Sequence, residues 1–292
     1  MMRGSSLHDE EVAALLERTS RTFALAIPLL GERLAREVGL AYLLFRIADT
    51  LEDADLWNKA RRLAALRDFA TWIDGTDDAR FMDGAPPSAN ADYVSLLGRA
   101  DDVSATLGAL DPEAAAAIRK HVKRTALGMA EFVEAQSPDG ALALADEADL
   151  RRYCYAVAGI VGELLTALFA IAEPSVARAK KELDENAAAF GEGLQLVNIL
   201  KDAPSDARQG RVYLPRKVPR ADIFRLARTD LGGARRYVSA LDCAGASRGV
   251  WAFCELPLRL AEATLDCLES GAPKLGRDEA LRIFASVSSS RQ

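Results

Sequence analysis

The sequence predicts an all-α protein. Three observations carry that reading: apolar residues recur at helical spacing along most of the chain, no convincing run alternates with the period of a strand, and no internal repeat or Gly-rich nucleotide loop interrupts the pattern. With 292 residues, half of them apolar, the chain is long enough for one or two domains and a large core.

Taken in order, Val12, Ala13, Leu15 and Leu16 predict a helix over residues 10–19, which Ser20-Arg21-Thr22-Phe23 then interrupts with small hydroxyls beside a cation. Pro28 breaks the pattern again. A long helix is expected from Glu32 through Leu40, Leu43, Leu44, Ile47 and Leu51 to an acidic end at Asp53. Residues 57–74 read as another amphipathic helix. The run GTDDARFMDGAPPSAN that follows is rich in Gly, Pro and Asp and predicts a flexible loop over about 75–91. It does not read as a domain linker, because the helical patterns on its two sides look alike. Helices over 92–108 and 112–136 come next, the second with Pro112 in its first turn.

The run YCYAVAGIVGELLTALFAIA, from Tyr153 to Ala172, holds one charge in about twenty residues and is long enough to span a membrane. Glu163 at its centre would cost roughly 2.5–3.5 kcal/mol against lipid, so a buried core helix is the better reading. Its Ala156, Ala158, Gly159 and Gly162 either admit a closely packed neighbour or leave room for a long apolar ligand; close packing is the commoner explanation. A further helix runs from Ser175 into the stretch GEGLQLVNILKDAPSDARQGRVYLP, and shorter ones are expected over 220–228, 232–242, 249–270 and 277–287.

The net charge of -6 argues against a nucleic-acid binder or a general binder of anionic membranes, so any phosphate site must be local. The four cysteines, Cys154, Cys243, Cys254 and Cys267, form no close pair, and the first residues show no leader pattern; together these predict a reduced, cytoplasmic protein. His8 and His121 lie outside the acidic clusters, which leaves a zinc-based or His-based mechanism with little support.

In the stretch from Gly191 to Pro215, the spacing of Gln195, Asn198, Asp202 and Asp206 puts all four on one helix face if the helix persists that far. Asp49-Thr50-Leu51-Glu52-Asp53 repeats the same Asp-to-Asp spacing. Two such stripes brought face to face would make a divalent-metal site. Asp49, Glu52 and Asp53 share a face and, unneutralised, would repel by a few tenths of a kcal/mol per pair. A solvated acidic helix end is the simpler alternative, but Leu43, Leu44, Phe45, Ile47 and Ala48 make the helix apolar nearly all round and favour a cavity. Oxygen-only ligands suit Mg²⁺ shared between carboxylates and substrate phosphates. Arg46, Lys201 and Arg211 are placed to bind remaining phosphate oxygens. No nucleophile-and-base pair stands out, so these parts fit metal-assisted departure of diphosphate from an apolar substrate better than hydrolysis.

Five segments carry a family resemblance: Ser20-Arg21-Thr22-Phe23, YLLFRIADTLED at 42–53, GMAEF at 128–132, YCYAVAGIVGE at 153–163, and the stretch 191–215, with FCELP at 253–257 a weaker sixth. Through them the chain resembles the squalene/phytoene synthase family, the head-to-head prenyltransferases, over most of its length. The resemblance implies an isoprenoid-synthase helical fold, one domain over 1–292 with a central apolar cavity. Two acidic motifs would there bind Mg²⁺ and the diphosphates of two farnesyl-type or geranylgeranyl-type substrates. It also implies ionisation of one prenyl diphosphate, condensation with the second to a cyclopropyl intermediate such as presqualene diphosphate, and a second ionisation with rearrangement.

Residue by residue, the resemblance matches Asp49, Asp53, Asp202 and Asp206 to metal-binding aspartates, with Glu52 beside the first pair. Ser20, Thr22, Arg46 and Arg211 match diphosphate-contacting positions, and Tyr153, Gln195, Asn198 and Tyr213 other active-site positions. SRTFALAI and DTLED are more squalene-synthase-like than phytoene-synthase-like. The implied reaction is therefore condensation of two farnesyl diphosphates to squalene, with NADPH as hydride donor. Phytoene, dehydrosqualene, presqualene diphosphate, hydroxysqualene or a cyclic terpene are alternative products. A non-catalytic, assembly-factor-like relative is the reading from another class, and retention of both Asp pairs argues against it.

The chain departs from the family pattern in its second motif, where Ser205 replaces a carboxylate and Pro204 tends to kink or end the helix. Lys201 stands where arginine is common, keeping the charge but losing the fork. Weaker metal or diphosphate binding is expected at this half-site. An apolar product is compatible with contact at the inner face of a membrane, yet the C-terminal LRIFASVSSSRQ is shorter than a spanning anchor, so a soluble or peripheral protein is expected.

Overall fold

The computed structural model describes residues 4–20, 22–75, 80–136, 144–208, 212–272 and 274–289, and among them there is no strand. The chain divides into two compact units, Met1–Gly140 and Ala141–Gln292. The first holds α1 (Asp9–Thr19), α2 (Phe23–Ala26), α3 (Glu32–Glu52), α4 (Lys59–Trp72), α5 (Ala91–Leu97), α6 (Ala100–Gly108) and α7 (Pro112–Ala135). The second holds α8 (Glu147–Cys154), α9 (Ile160–Ala172), α10 (Pro174–Arg208), α11 (Arg220–Cys243), α12 (Arg248–Glu269) and α13 (Arg277–Ser289).

The first unit is built around α3, whose Leu40, Leu43, Leu44, Ile47 and Leu51 are completely buried. α1, α4 and α7 pack around it. Each of these side chains contributes about 2 kcal/mol by leaving water. Helix starts follow capping chemistry: Asn58 accepts from the Arg61 N–H to open α4, and Asp111 accepts from the Glu113 and Ala114 N–H groups to open α7, with Pro112 in its first turn. In the loop ahead of α5, Phe81 is fully buried, its ring 5.3 Å from that of Phe69 and 5.0 Å from that of Trp72.

The second unit is built around α10, against which α9, α11 and α12 pack. Phe190, Leu196 and Leu200 are buried along it, and Arg235 of α11 donates to both carboxylate oxygens of Glu255 on α12, at 2.9 and 2.7 Å. Tyr237 is fully buried and its hydroxyl lies 2.9 Å from Thr166 Oγ1.

Four expectations about helix boundaries need correction. The helix expected over 92–108 is two, α5 and α6, parted at Gly98-Arg99: Gly98 is a weak helix former, and the Arg99 guanidinium turns to Glu11 at 2.9 Å and to Asp102 at 2.5 Å. The two short helices expected over 220–228 and 232–242 are one, α11, which runs through Gly232-Gly233. The glycine serves packing there, since a Cβ on Gly233 would lie 2.7 Å from Ala189 Cβ on α10.

The helix expected from Tyr153 begins earlier, at Glu147, where Asp146 accepts from the Asp149 N–H, and it contains a π turn at Tyr155–Gly159. The small residues of this run do serve close packing: a Cβ on Gly162 would sit 1.9 Å from the Ala187 carbonyl oxygen of α10. Glu147–Ala172 is the one helical stretch among the described residues long and apolar enough to cross a membrane, and 56% of its apolar window is buried within the protein. Last, Pro204 does not end α10, which continues to Arg208. Ser205 Oγ donates back to the Asp202 carbonyl at 2.8 Å, and Ile199, Ala203 and Ala207 share a cavity wall with Val212 and Leu214.

Candidate functional site

In the first unit, one hydrogen-bonded chain holds Arg46 and Asp49, two of the residues singled out in the sequence. The Tyr42 hydroxyl donates to the Thr19 carbonyl at 2.9 Å and accepts from Arg46 Nη2 at 2.9 Å. Arg46 Nη1 donates to Asp49. Tyr42 and Tyr93 also flank the guanidinium, with ring centroids 5.6 and 5.4 Å from its central carbon. Burial works against the Arg46 charge, but Asp49, Tyr42 and Tyr93 outweigh it and raise its pKa further, so the group is a permanent cation. Its buried Nε has no partner.

Ser20 Oγ accepts from the Phe23 and Ala24 N–H groups at 3.0 and 3.3 Å, which opens α2 and leaves the hydroxyl proton available to an acceptor. Thr22 beside it is exposed. Asp53 closes α3, its N–H donating to the Asp49 carbonyl at 2.9 Å. Arg62 pins this helix end by donating to the Glu52 carbonyl at 3.0 Å and to Gln136 Oε1. Asp49 and Asp53 are partly exposed, whereas Glu52 is buried.

In the second unit, Gln195, Asn198, Asp202 and Asp206 all lie on α10, which is continuous past Pro204. Lys201 Nζ donates to Asn198 Oδ1 at 3.0 Å and lies 3.3 Å from Asp202. A cavity of about 170 Å³ opens beside Asp206, lined also by Ala203, Val212 and Tyr213. The rings of Tyr153 and Tyr213 stack with centroids 5.1 Å apart. Arg211 lies outside the described residues.

Sequence reasoning missed three contributors. Tyr42 stands one turn before Arg46 on α3, a spacing that could have flagged it. Arg62 gave no signal, because its role depends on where α4 turns back along α3. The third is Glu192, one turn before Gln195. Burial and the nearby Asp230 carboxylate push its pKa up to about 7, against the opposing pull of Arg151. Arg151 Nη1 lies 3.5 Å from Asp230 Oδ1, and the Tyr155 hydroxyl donates to Glu163 at 2.8 Å on the same side of the unit. The flanking glycines in Gly191-Glu192-Gly193 were the available signal.

Among the described residues, no three Asp, Glu, His or Cys side chains converge to hold a metal ion by themselves. Each unit instead offers two partly exposed carboxylates one turn apart, Asp49 with Asp53 and Asp202 with Asp206. An oxygen-only pair of this kind fits Mg²⁺, which is commonly held by one or two carboxylates together with substrate phosphates.

The squalene/phytoene synthase family model matches residues 16–222. Among curated proteins, the squalene synthase of Candida albicans is 33% identical over 210 residues, covering 70% of this chain and 44% of that protein. The squalene synthase of Homo sapiens is 28% identical over 215 residues, covering 70% of this chain and 45% of that protein. The matched stretch thus spans less than half the length of these relatives. Among solved structures, TcSQS in complex with the ligand E5700 superposes with a TM-score of 0.79 at 23% identity, covering 95% of this chain and 85% of that one. A dehydrosqualene synthase in complex with ligand gives 0.59 at 18% identity, covering 96% and 95%. These likenesses establish the isoprenoid-synthase helical fold.

Proposed function

The chain belongs to the squalene/phytoene synthase family, and from that membership we infer that it joins two farnesyl diphosphates head to head through presqualene diphosphate, to squalene when NADPH supplies hydride. The observation that carries this reading is the continuity of α10, which keeps Gln195, Asn198, Asp202 and Asp206 on one helix despite Pro204. With Pro204 accommodated inside α10, Asp202 and Asp206 stay one turn apart on the same helix.

In this reading, Asp49 and Asp53 hold one diphosphate and Asp202 and Asp206 serve the other. Mg²⁺, when bound with these carboxylates, supplies positive charge to the departing diphosphate. Arg46 adds a fixed cation whose geometry is set by Asp49 and Tyr42, so little reorganisation is needed as the leaving group gains charge. Ser20 donates its hydroxyl proton to a phosphate oxygen, and Lys201, steered by Asn198 and Asp202, pairs with the second leaving group. The Tyr153 and Tyr213 rings, which stack on one another, are assigned in this reading to stabilise the developing carbocation and to keep water from it.

The test is to incubate the purified protein with farnesyl diphosphate and Mg²⁺, with and without NADPH, and to identify the extracted product. Squalene formed only with NADPH supports the reading as stated. Phytoene-type, hydroxylated or cyclic products would place the chain with another member of the family, and no diphosphate release from any C15 or C20 prenyl diphosphate would sink the enzymatic reading.

A further inference from the structure

Glu192 is partly buried between its two glycine neighbours. α10 meets the π turn at Gly191, where an added Cβ would lie 1.9 Å from the Ala158 carbonyl oxygen, and meets α11 at Gly193, where it would lie 3.0 Å from the Asp230 carbonyl carbon. The glutamate is caught between two backbone-on-backbone crossings, and Gly159 approaches its side chain so closely that a Cβ there would lie 3.0 Å from Glu192 Oε1.

The charged and titratable groups around it come from four elements: Glu147, Arg151 and Cys154 from α8, Tyr155 from the π turn, Glu163 from α9 and Asp230 from α11. Arg151 is the one cation in this set, divided between Asp230 at 3.5 Å and Glu147 at 3.2 Å. The Asp230 side chain is 8% exposed, and its Oδ2 has no partner. One guanidinium among four carboxyl groups, of which Asp230 is buried and Glu192 partly so, leaves surplus negative charge, and a proton on Glu192 removes part of it. The same surroundings push the Cys154 thiol up, first through burial and then through Glu192 and Asp230.

Tyr153 sits between Arg151 and the turn that begins at Tyr155, so both of its flanks are fixed by this cluster. We propose that Glu192, as a neutral carboxylic acid, seats the turn carrying Tyr153 on α10, a positioning residue for the prenyl transfer inferred above, and that its ionisation loosens that seat. The kinetic consequence rests on that reading of the reaction; the structural one does not.

The experiment measures amide hydrogen exchange of the peptide covering 147–159 at pH 6 and pH 8, corrected for intrinsic rates, in the wild type, Glu192→Gln and Glu192→Leu. The wild type loses protection by about tenfold between the two pH values, the change in neutral fraction of a group titrating near 7. Neither variant loses it, since neither can ionise. In parallel, wild-type kcat for diphosphate release falls by about tenfold relative to Glu192→Gln over the same range, with KM unchanged. Equal protection of wild type and both variants at both pH values would overturn the inference. Absence of turnover in every form would overturn the assigned reaction alone, because the exchange result is read without substrate.

Discussion

Gly191 and Ala158 meet backbone to backbone: a Cβ on Gly191 would lie 1.9 Å from the Ala158 carbonyl oxygen, so the crossing of α10 with the π turn exists only because residue 191 has no side chain. Gly191→Ala is expected to destabilise the protein by about 3 kcal/mol or more, at the upper end of overpacking costs, because a whole helix has to move. The pair Gly232-Gly233 supplies an internal control on one helix. Gly233→Ala meets Ala189 Cβ at 2.7 Å and destabilises, whereas a Cβ on Gly232 approaches only the flexible end of Arg236, at 3.8 Å. Gly232→Ala should therefore stabilise by about 0.5–1 kcal/mol through helix propensity. Urea midpoints of the three variants check the order.

Arg46 is held by Asp49 and Tyr42 and flanked by Tyr93. Arg46→Lys keeps the charge but loses the fork, and kcat/KM for diphosphate release is expected to fall by about 10- to 100-fold with the fold intact by circular dichroism. Tyr42→Phe removes one hydrogen bond from each side of the relay and should cost a few-fold in rate and about 1 kcal/mol in stability.

Ser205 donates its hydroxyl to the Asp202 carbonyl, at the position where the sequence resemblance leads one to expect a carboxylate. Ser205→Glu is expected to lower the Mg²⁺ concentration for half-maximal activity several-fold by adding a third oxygen ligand to Asp202 and Asp206. An unchanged Mg²⁺ dependence would show that this half-site does not limit metal binding.

Glu192 titrates near 7 in the folded chain, above the ordinary glutamate value, so folding takes up a proton between the two. Its contribution to stability is fully present below the ordinary carboxylate value, is lost as the pH rises to about 7, and changes no further above that. Because the group is only partly buried, the expected loss is a few °C in Tm. Glu192→Gln should abolish this component, giving a higher Tm than the wild type at pH 8 and a similar one at pH 5; parallel Tm profiles would contradict the assignment.

The long, strongly periodic elements were legible in the sequence: α3, α7 and α12 lie close to where the spacing of their apolar residues puts them. What was not legible depended on tertiary contact. Gly232-Gly233 reads locally as a break, yet α10 packs so near that only glycine fits. Pro204 reads as a terminator, and α10 passes it with Ser205 bonding back to Asp202. The acidic residues of the proposed site stood out because polar groups on apolar helices are conspicuous, whereas Ser20 and Thr22 entered through the family resemblance. Tyr42, Arg62 and Glu192 did not, because each acts through a partner on another segment or through two neighbouring glycines that only the folded chain explains.

The most direct test of the central claim measures diphosphate released from farnesyl diphosphate and Mg²⁺ by the wild type, Asp49→Asn and Asp202→Asn, each first shown to retain its helical circular dichroism. Both acidic pairs are required in this account, so each substitution alone should abolish release, by at least about 10³-fold given the charge each pair stabilises as the leaving group departs. Near-wild-type release by either variant would contradict it.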